Sequence, residues 1–304
     1  MPPYTVEEGG CVCNLAIASY AHATLRPIAR GIAIDAGDDT SIGDAALRRA
    51  RLSNVRLEQS SEFPHGAGLG GSSAAGVAVA AAIAAWRDER ISRSELARRS
   101  RAIEVEELGI AGGFQDHYAA AYGGALALTF RERTSVEQLP LSVAFALRLE
   151  RQCLFAYTGE SRISGATITA VLDGYRDRVP RVVQALARMK ALALQMIDAL
   201  RLENIETLGA LVGEHWEHQR SLHPRITTPA IDALLHTALA HGAIGGKALG
   251  ASGGGSVVII APAERMEEVR THVSPLGRLL PFIVDRRGAY VTICEQAGST
   301  AWQS

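Results

Sequence analysis

The sequence is short of cysteine, of aromatic residues and of net charge, and these shortages exclude several classes of protein. Four cysteines among 304 residues, Cys11, Cys13, Cys153 and Cys294, are too few and too scattered for a disulfide framework, and the Cys11–Cys13 pair lies in an apolar stretch without matching ligands. A reducing compartment, the cytoplasm, is the expected location. The 31 basic and 32 acidic side chains nearly cancel. That leaves no general field to attract nucleic acid or an anionic membrane, so any anion site has to be built locally and the expected partners are small molecules. The opening MPPYTVEEGG has neither a basic n-region nor an apolar h-region, and the Ala-rich runs are broken by glycine, polar or charged residues before they reach spanning length. Neither secretion nor membrane insertion is expected. No repeat at a solenoid period and no low-complexity tract occurs.

What is abundant is apolar and small. With 47% hydrophobic and 21% charged residues, the chain can bury substantial cores and is expected to form two domains, 1–150 and 151–304. Residues 11–27 and 52–60 read as strands, and 72–86, almost all small or aliphatic, as a helix buried on most faces. Polar start signals at Ser92, Ser94 and Glu95 open a second helix, which Gly109 and Gly112-Gly113 break. The stretch SVAFALRLE before residue 151 reads as strand-like. Long helices are expected at 182–202 and 205–220, a helix at 229–241, a strand at 256–261, a helix at 263–273 and strands at 279–284 and 289–294. The result is a mixed α+β architecture.

Three segments carry chemistry. The first, GAGLGGSSAAG at 66–76, feeds a glycine-rich loop into an Ala-rich helix, leaving backbone N–H groups free at the positive end of a helix dipole, a setting suited to phosphate. No lysine follows its last glycine as in a P-loop, and 87–90 is a charged helix end rather than the second strand of a dinucleotide-binding unit. The second pairs Glu104 with Asp116 across a glycine turn. A carboxylate at each position suits one metal–phosphate site, Glu104 holding magnesium and Asp116 accepting a hydroxyl proton, whereas Glu106 and Glu107 read as surface residues. The third, GGKALGASGGG at 245–255, carries Lys247 in a loop whose glycines serve equally a close ligand or two tight turns.

In this order the three segments resemble the motifs of the GHMP kinase superfamily, small-molecule kinases such as galactokinase, mevalonate kinase and homoserine kinase. Pro64-His65-Gly66-Ala67-Gly68-Leu69-Gly70-Gly71-Ser72-Ser73-Ala74-Ala75 is similar to its phosphate loop P-x-G-x-G-L-G-S-S-A-A, with Gly71 in place of the first serine. Within the superfamily the chain most resembles the D-glycero-D-manno-heptose 7-phosphate kinases. GGFQDHYAAAYGG is like their G-G-K-Q-D-Q-Y-A-A-A-F-G-G, AYTGESR like Y-T-G-x-S-R, and GGKALGASGGG like G-G-K-L-L-G-A-G-G-G-G. Phe114 stands where those kinases commonly carry lysine, His117 where they carry glutamine, and Gln219 replaces the lysine before Arg220.

The resemblance implies a two-domain fold, with an amino-terminal domain like domain 2 of ribosomal protein S5 and a ferredoxin-like carboxy-terminal domain. It implies ATP and Mg2+ as cofactors, Pro64, Gly66, Gly68, Leu69, Gly70, Gly71, Ser72 and Ser73 around the nucleotide phosphates, and Ser72 with Glu104 on magnesium. It also implies Asp116 as the catalytic base, and Arg162, Arg220, Lys247, Gly253 and Gly254 on the acceptor side. The expected activity is phosphorylation of a sugar or sugar-phosphate hydroxyl, above all the anomeric hydroxyl of a heptose 7-phosphate-like acceptor. Family members open with an Arg-containing strand that this chain lacks at its start, so either a misassigned start or an incomplete sugar site is expected. The alternative is a catalytically weak nucleotide-binding or regulatory protein. A metal hydrolase built on His215, His218 and His223 is set aside, because no carboxylate follows at a recognisable spacing.

Overall fold

A computed structural model of the chain describes residues 3–36, 40–64, 66–110, 113–160 and 165–293. Its strands are β1 (Gly10–Leu15), β2 (Ala21–Pro27), β3 (Ile32–Asp35), β4 (Val55–Ser61), β5 (Ala125–Phe130), β6 (Thr134–Leu139), β7 (Cys153–Tyr157), β8 (Gly245–Ala248), β9 (Ser256–Ile260) and β10 (Arg278–Leu280). Its helices are α1 (Ser41–Arg49), α2 (Gly71–Trp86), α3 (Arg93–Ala102), α4 (Gln115–Tyr122), α5 (Val143–Gln152), α6 (Gly165–Arg176), α7 (Pro180–Arg201), α8 (Ile205–Ser221), α9 (Pro229–Ala240) and α10 (Met266–Val273). A π-helical turn, Ile103–Glu107, continues α3.

Three sheets organise these elements, in the orders β1-β5-β6, β2-β4-β3 and β10-β7-β9-β8. The first and third are antiparallel throughout, while β3 runs parallel to β4. The almost wholly apolar sequence of α2 answers to its place: Val77, Val79, Ala80, Ile83 and Ala84 are buried in one core with Leu47, Leu57, Leu126 and Leu128, where side chains this small let neighbouring helices approach closely. In β9 the run Ser256-Val-Val-Ile-Ile is buried at every position but Val258, as expected of an inner strand covered on both faces. A further cluster joins β5, β7 and β9 to α7 and α8 through Ala127, Cys153, Leu192, Met196, Leu208 and Ile260.

Several expected elements shift. The strand-like stretch before residue 151 is helix α5: Ser142 accepts from the Phe145 N–H at 3.0 Å, its own N–H and hydroxyl both donate to Glu203 at 2.8 Å, and Phe145, Ala146 and Leu149 bury one helical face. The cap and the 3.6-residue spacing outweigh the β-prone composition. The strand at 52–60 begins at Val55, because Arg51 and Asn54 have positive φ angles of 51° and 60° and turn the chain first. Beyond Leu280 the strand expected to reach 284 is reduced to a single bridge between Ile17 and Val284. Residues 289–293 form no strand, and Cys294 lies outside the described residues.

Candidate active site

The glycine loop and its helix meet α4 at close range. Gly70, the residue before α2, has φ 76°, and a Cβ there would stand 3.1 Å from the Asp116 Cβ. Only glycine takes that backbone at so small a distance. No acidic residue occupies the first turn of α2 and no side chain caps it, so the N–H groups that open the helix keep their capacity for an anion. The loop after β8 stacks on the glycine loop: a Cβ on Gly255, φ 83°, would approach the Ala67 carbonyl oxygen to 3.0 Å.

Below the loop lies a buried polar set. Glu104 is 7% exposed; its Oε1 accepts from the Ser72 hydroxyl, and its Oε2 faces His117 Nε2 at 2.9 Å and Ser73 Oγ at 3.5 Å. His117 Nδ1 lies 2.8 Å from Ser100 Oγ, which donates to the Ser73 carbonyl at 3.0 Å. Burial pushes the Glu104 carboxyl up, but the hydrogen bonds from His117 and Ser72 outweigh it and hold the pKa below the usual glutamate value. The side chain is therefore an ionised oxygen donor at neutral pH. A serine hydroxyl and one carboxylate form a hard oxygen pair, and they fit magnesium, which takes few protein ligands and fills its other positions with phosphate and water. Among the described residues no group of three or more His, Cys, Asp or Glu side chains could hold a metal unaided. The site so far fits an ion carried in with a nucleotide.

Pro64, Gly66, Gly68, Leu69, Gly70, Gly71, Ser72, Ser73, Glu104, Asp116 and Lys247 all line one cavity of about 2490 Å³. Arg220, Gly253 and Gly254 do not line it. Arg220 faces Glu217 at 3.7 Å, and Gly253 and Gly254 back onto the carbonyl oxygens of Arg225 and Glu160, at 3.0 Å from where a Cβ would stand. Packing explains those two glycines. Arg162 lies outside the described residues.

Another wall of the same cavity is lined from β8 and α8. Lys247, half-buried, donates among the described residues only to the carbonyl of its neighbour Ala248 at 3.0 Å, and burial lowers its pKa to about 8. His215 has a buried Nδ1 without a hydrogen-bond partner among the described residues. Burial first, then the charges of Lys247 and His218, lower its pKa to about 3, so the ring is neutral. In residue order alone His215 has no role once the metal-hydrolase reading is set aside. A signal was present: Leu208, Val212, His215, Gln219 and Leu222 repeat at inward-facing helical spacing, and all five line the cavity. Polar residues on such a stripe mark a wall that is not simply core.

Two family models match the chain, GHMP kinases N terminal domain over residues 40–124 and GHMP kinases C terminal over residues 196–275, together more than half of it. The chain belongs to the GHMP kinase family, enzymes that transfer phosphate from ATP to a hydroxyl group. The D-glycero-alpha-D-manno-heptose 7-phosphate kinase of Campylobacter jejuni is 28% identical over 235 residues, covering 76% of this chain and 69% of that protein. The mevalonate kinase of Pyrococcus furiosus is also 28% identical, over 238 residues covering 76% and 67%. The crystal structure of a D-glycero-D-manno-heptose 1-phosphate kinase from Bacteroides thetaiotaomicron superposes with a TM-score of 0.78 at 25% identity, covering 97% of this chain and 94% of that one. Among the described residues no helix is long and apolar enough to cross a membrane.

Proposed function

We propose that this protein transfers the γ-phosphoryl group of ATP to the anomeric hydroxyl of a phosphorylated sugar of the heptose 7-phosphate kind, with residues 1–150 as the nucleotide-binding domain and 151–304 as its partner domain. The observation that carries the reading is the convergence, in one cavity, of the uncapped start of α2, the Ser72–Glu104 pair and Asp116. Equal identity to a heptose-phosphate kinase and a mevalonate kinase does not choose an acceptor, so that choice rests on the β8–α8 wall. There Lys247 has no carboxylate at ion-pair distance among the described residues, and His215 keeps an unused ring nitrogen. A half-buried cation without a counter-charge is costly, and a phosphate on the acceptor would supply one.

In this scheme the glycine-loop backbone and the first N–H groups of α2 receive the nucleotide phosphates. Ser72 and Glu104 would hold magnesium, which when bound neutralises charge on those phosphates. The acceptor oxygen attacks the γ-phosphorus, the bond to the bridging oxygen of ADP breaks, and the hydroxyl proton passes to the Asp116 carboxylate. Lys247 and His215 hold the acceptor's own phosphate, fixing which hydroxyl faces Asp116. The test is ADP release with mannose, galactose, mannose 6-phosphate and D-glycero-D-manno-heptose 7-phosphate, with the product phosphate assigned by phosphorus NMR. A new anomeric phosphate on the heptose 7-phosphate is expected. Efficient use of a neutral sugar would overturn the acceptor assignment, and ATP binding without transfer to any of the four would favour a regulatory nucleotide-binding protein.

A further inference from the structure

Behind the Ser72–Glu104 pair lies a side chain to which the transfer scheme gives no task. His117 is 0% exposed and follows Asp116 directly on α4, so the two side chains leave the helix on different faces. Asp116 packs against Gly70 at the cavity. His117 turns inward, where three elements present oxygen atoms to it: the start of α2 through Ser73, α3 through Ser100, and the π-helical turn through Glu104. The Ser100 hydroxyl, whose hydrogen goes to the Ser73 carbonyl, stands 2.8 Å from Nδ1 as an acceptor. Nε2 faces Glu104 Oε2 at 2.9 Å and donates to that carboxylate oxygen. Glu104 thus has one carboxylate oxygen tied to the interior, and the other is left with Ser72.

We propose that His117 is a positioning residue, which clamps Oε2 of Glu104 so that Oε1 is presented beside Ser72 at the cavity, and which fixes that presentation relative to the helix carrying Asp116. The inference rests on the reading of Ser72 and Glu104 as magnesium ligands. A glutamate has three rotatable bonds, and without a partner on Oε2 its carboxylate is free to rotate away from Ser72. An imidazole suits the role because its two nitrogens point in different directions, one gripping Glu104 while the other is braced by Ser100. Partners of this kind behind a metal-binding carboxylate typically change metal affinity by about 10- to 100-fold.

The test uses Mn2+ as a paramagnetic stand-in, titrated by EPR into the protein with saturating ADP, alongside ADP binding measured by calorimetry in EDTA and the thermal midpoint of each variant. His117→Leu, which removes the donor, is expected to weaken Mn2+ about 10-fold or more while ADP affinity without metal stays within about 2-fold. His117→Gln keeps a donor at similar reach and should recover most of the metal affinity. Should the leucine variant not fold, His117→Asn, whose shorter amide falls short of Oε2, takes its place against His117→Gln. A structural role alone would lower the thermal midpoint and leave Mn2+ affinity unchanged in every folded variant, and that result overturns the proposal. Glu104→Gln separates the two layers. If it weakens Mn2+ while His117→Leu does not, the clamp is wrong and the ligand assignment stands; if Glu104→Gln has no effect, the ligand assignment fails and the clamp falls with it.

Discussion

The two walls of the cavity are finished to different degrees. On the glycine-loop side Ser72, Ser73, Ser100, Glu104 and His117 form a closed set of hydrogen bonds around one carboxylate. On the β8–α8 side, among the described residues, Lys247 has only its neighbour's carbonyl, His215 Nδ1 has no partner, and the amide of Gln219, 5% exposed, is spent on the Gly250 carbonyl at 3.0 Å. A saturated wall is preorganised and needs little rearrangement when charge develops near it. An unsaturated wall pays for its open valences until a ligand fills them, which makes it the place where a protein can choose among ligands. Under the proposed function, the contrast gives constant chemistry, phosphate and metal, to the first wall and acceptor choice to the second.

The largest effect belongs to the residue that faces the saturated wall from α4. Asp116→Asn should lower single-turnover phosphoryl transfer by about 100-fold or more, the usual scale for removing a general base, while ATP affinity by calorimetry stays nearly unchanged. Near-parental turnover would remove Asp116 from the base role, and lost ATP affinity would make it structural. Next, Ser72→Ala and Glu104→Gln should each raise the Mg2+ concentration for half-maximal activity by about 10-fold, the scale of losing one oxygen ligand or its support. A response from Glu104→Gln alone would shift the hydroxyl role to Ser73.

The second wall predicts an effect of similar kind on the other substrate. Lys247→Met should raise the KM for a phosphorylated acceptor by about 10-fold, one charge-assisted contact, with the KM for ATP unchanged. Lys247 carries its proton below a pKa of about 8 and loses it above, so the acceptor KM should climb as pH rises through that value. Lys247→Arg stays charged and should flatten the profile. His215 is already neutral above about 3 and should add no inflection between pH 5 and pH 8 by this account. The smallest effect lies in the loop between the walls. Ser252 is 0% exposed, sits at φ 65° and leaves its hydroxyl unpaired among the described residues. Ser252→Gly relieves both strains and should raise the thermal midpoint by about 2 °C with kinetics unaltered.

The contrast between the walls also explains what was legible from residue order. The phosphate loop, Glu104 and Asp116 were readable because close backbone approach demands glycine and buried charge demands a reason, and both leave marks in a single segment. The support behind Glu104 was not, since His117, Ser100 and Ser73 come from three elements and meet only through packing. His215 and Gln219 were hidden for a different reason: each looks like an ordinary surface residue until the helical face it occupies is shown to be the inner one. Arg220, one position beyond Gln219, points elsewhere and pairs with Glu217. Helix α5 was misread because β-prone residues surround a serine cap whose anchor, Glu203, lies far along the chain.

The most direct test of the division between the walls is a cross of two variants, Glu104→Gln and Lys247→Met, singly and together, with KM for ATP and for heptose 7-phosphate measured on each at one fixed Mg2+ concentration below saturation and at fixed pH. Each single substitution is predicted to raise the KM of its own substrate and spare the other. The double variant should show the sum of the two free-energy changes within about 0.5 kcal/mol, as for independent sites. A Lys247→Met enzyme whose ATP KM rises while its acceptor KM holds would contradict the account, because the unsaturated wall would then be serving the nucleotide.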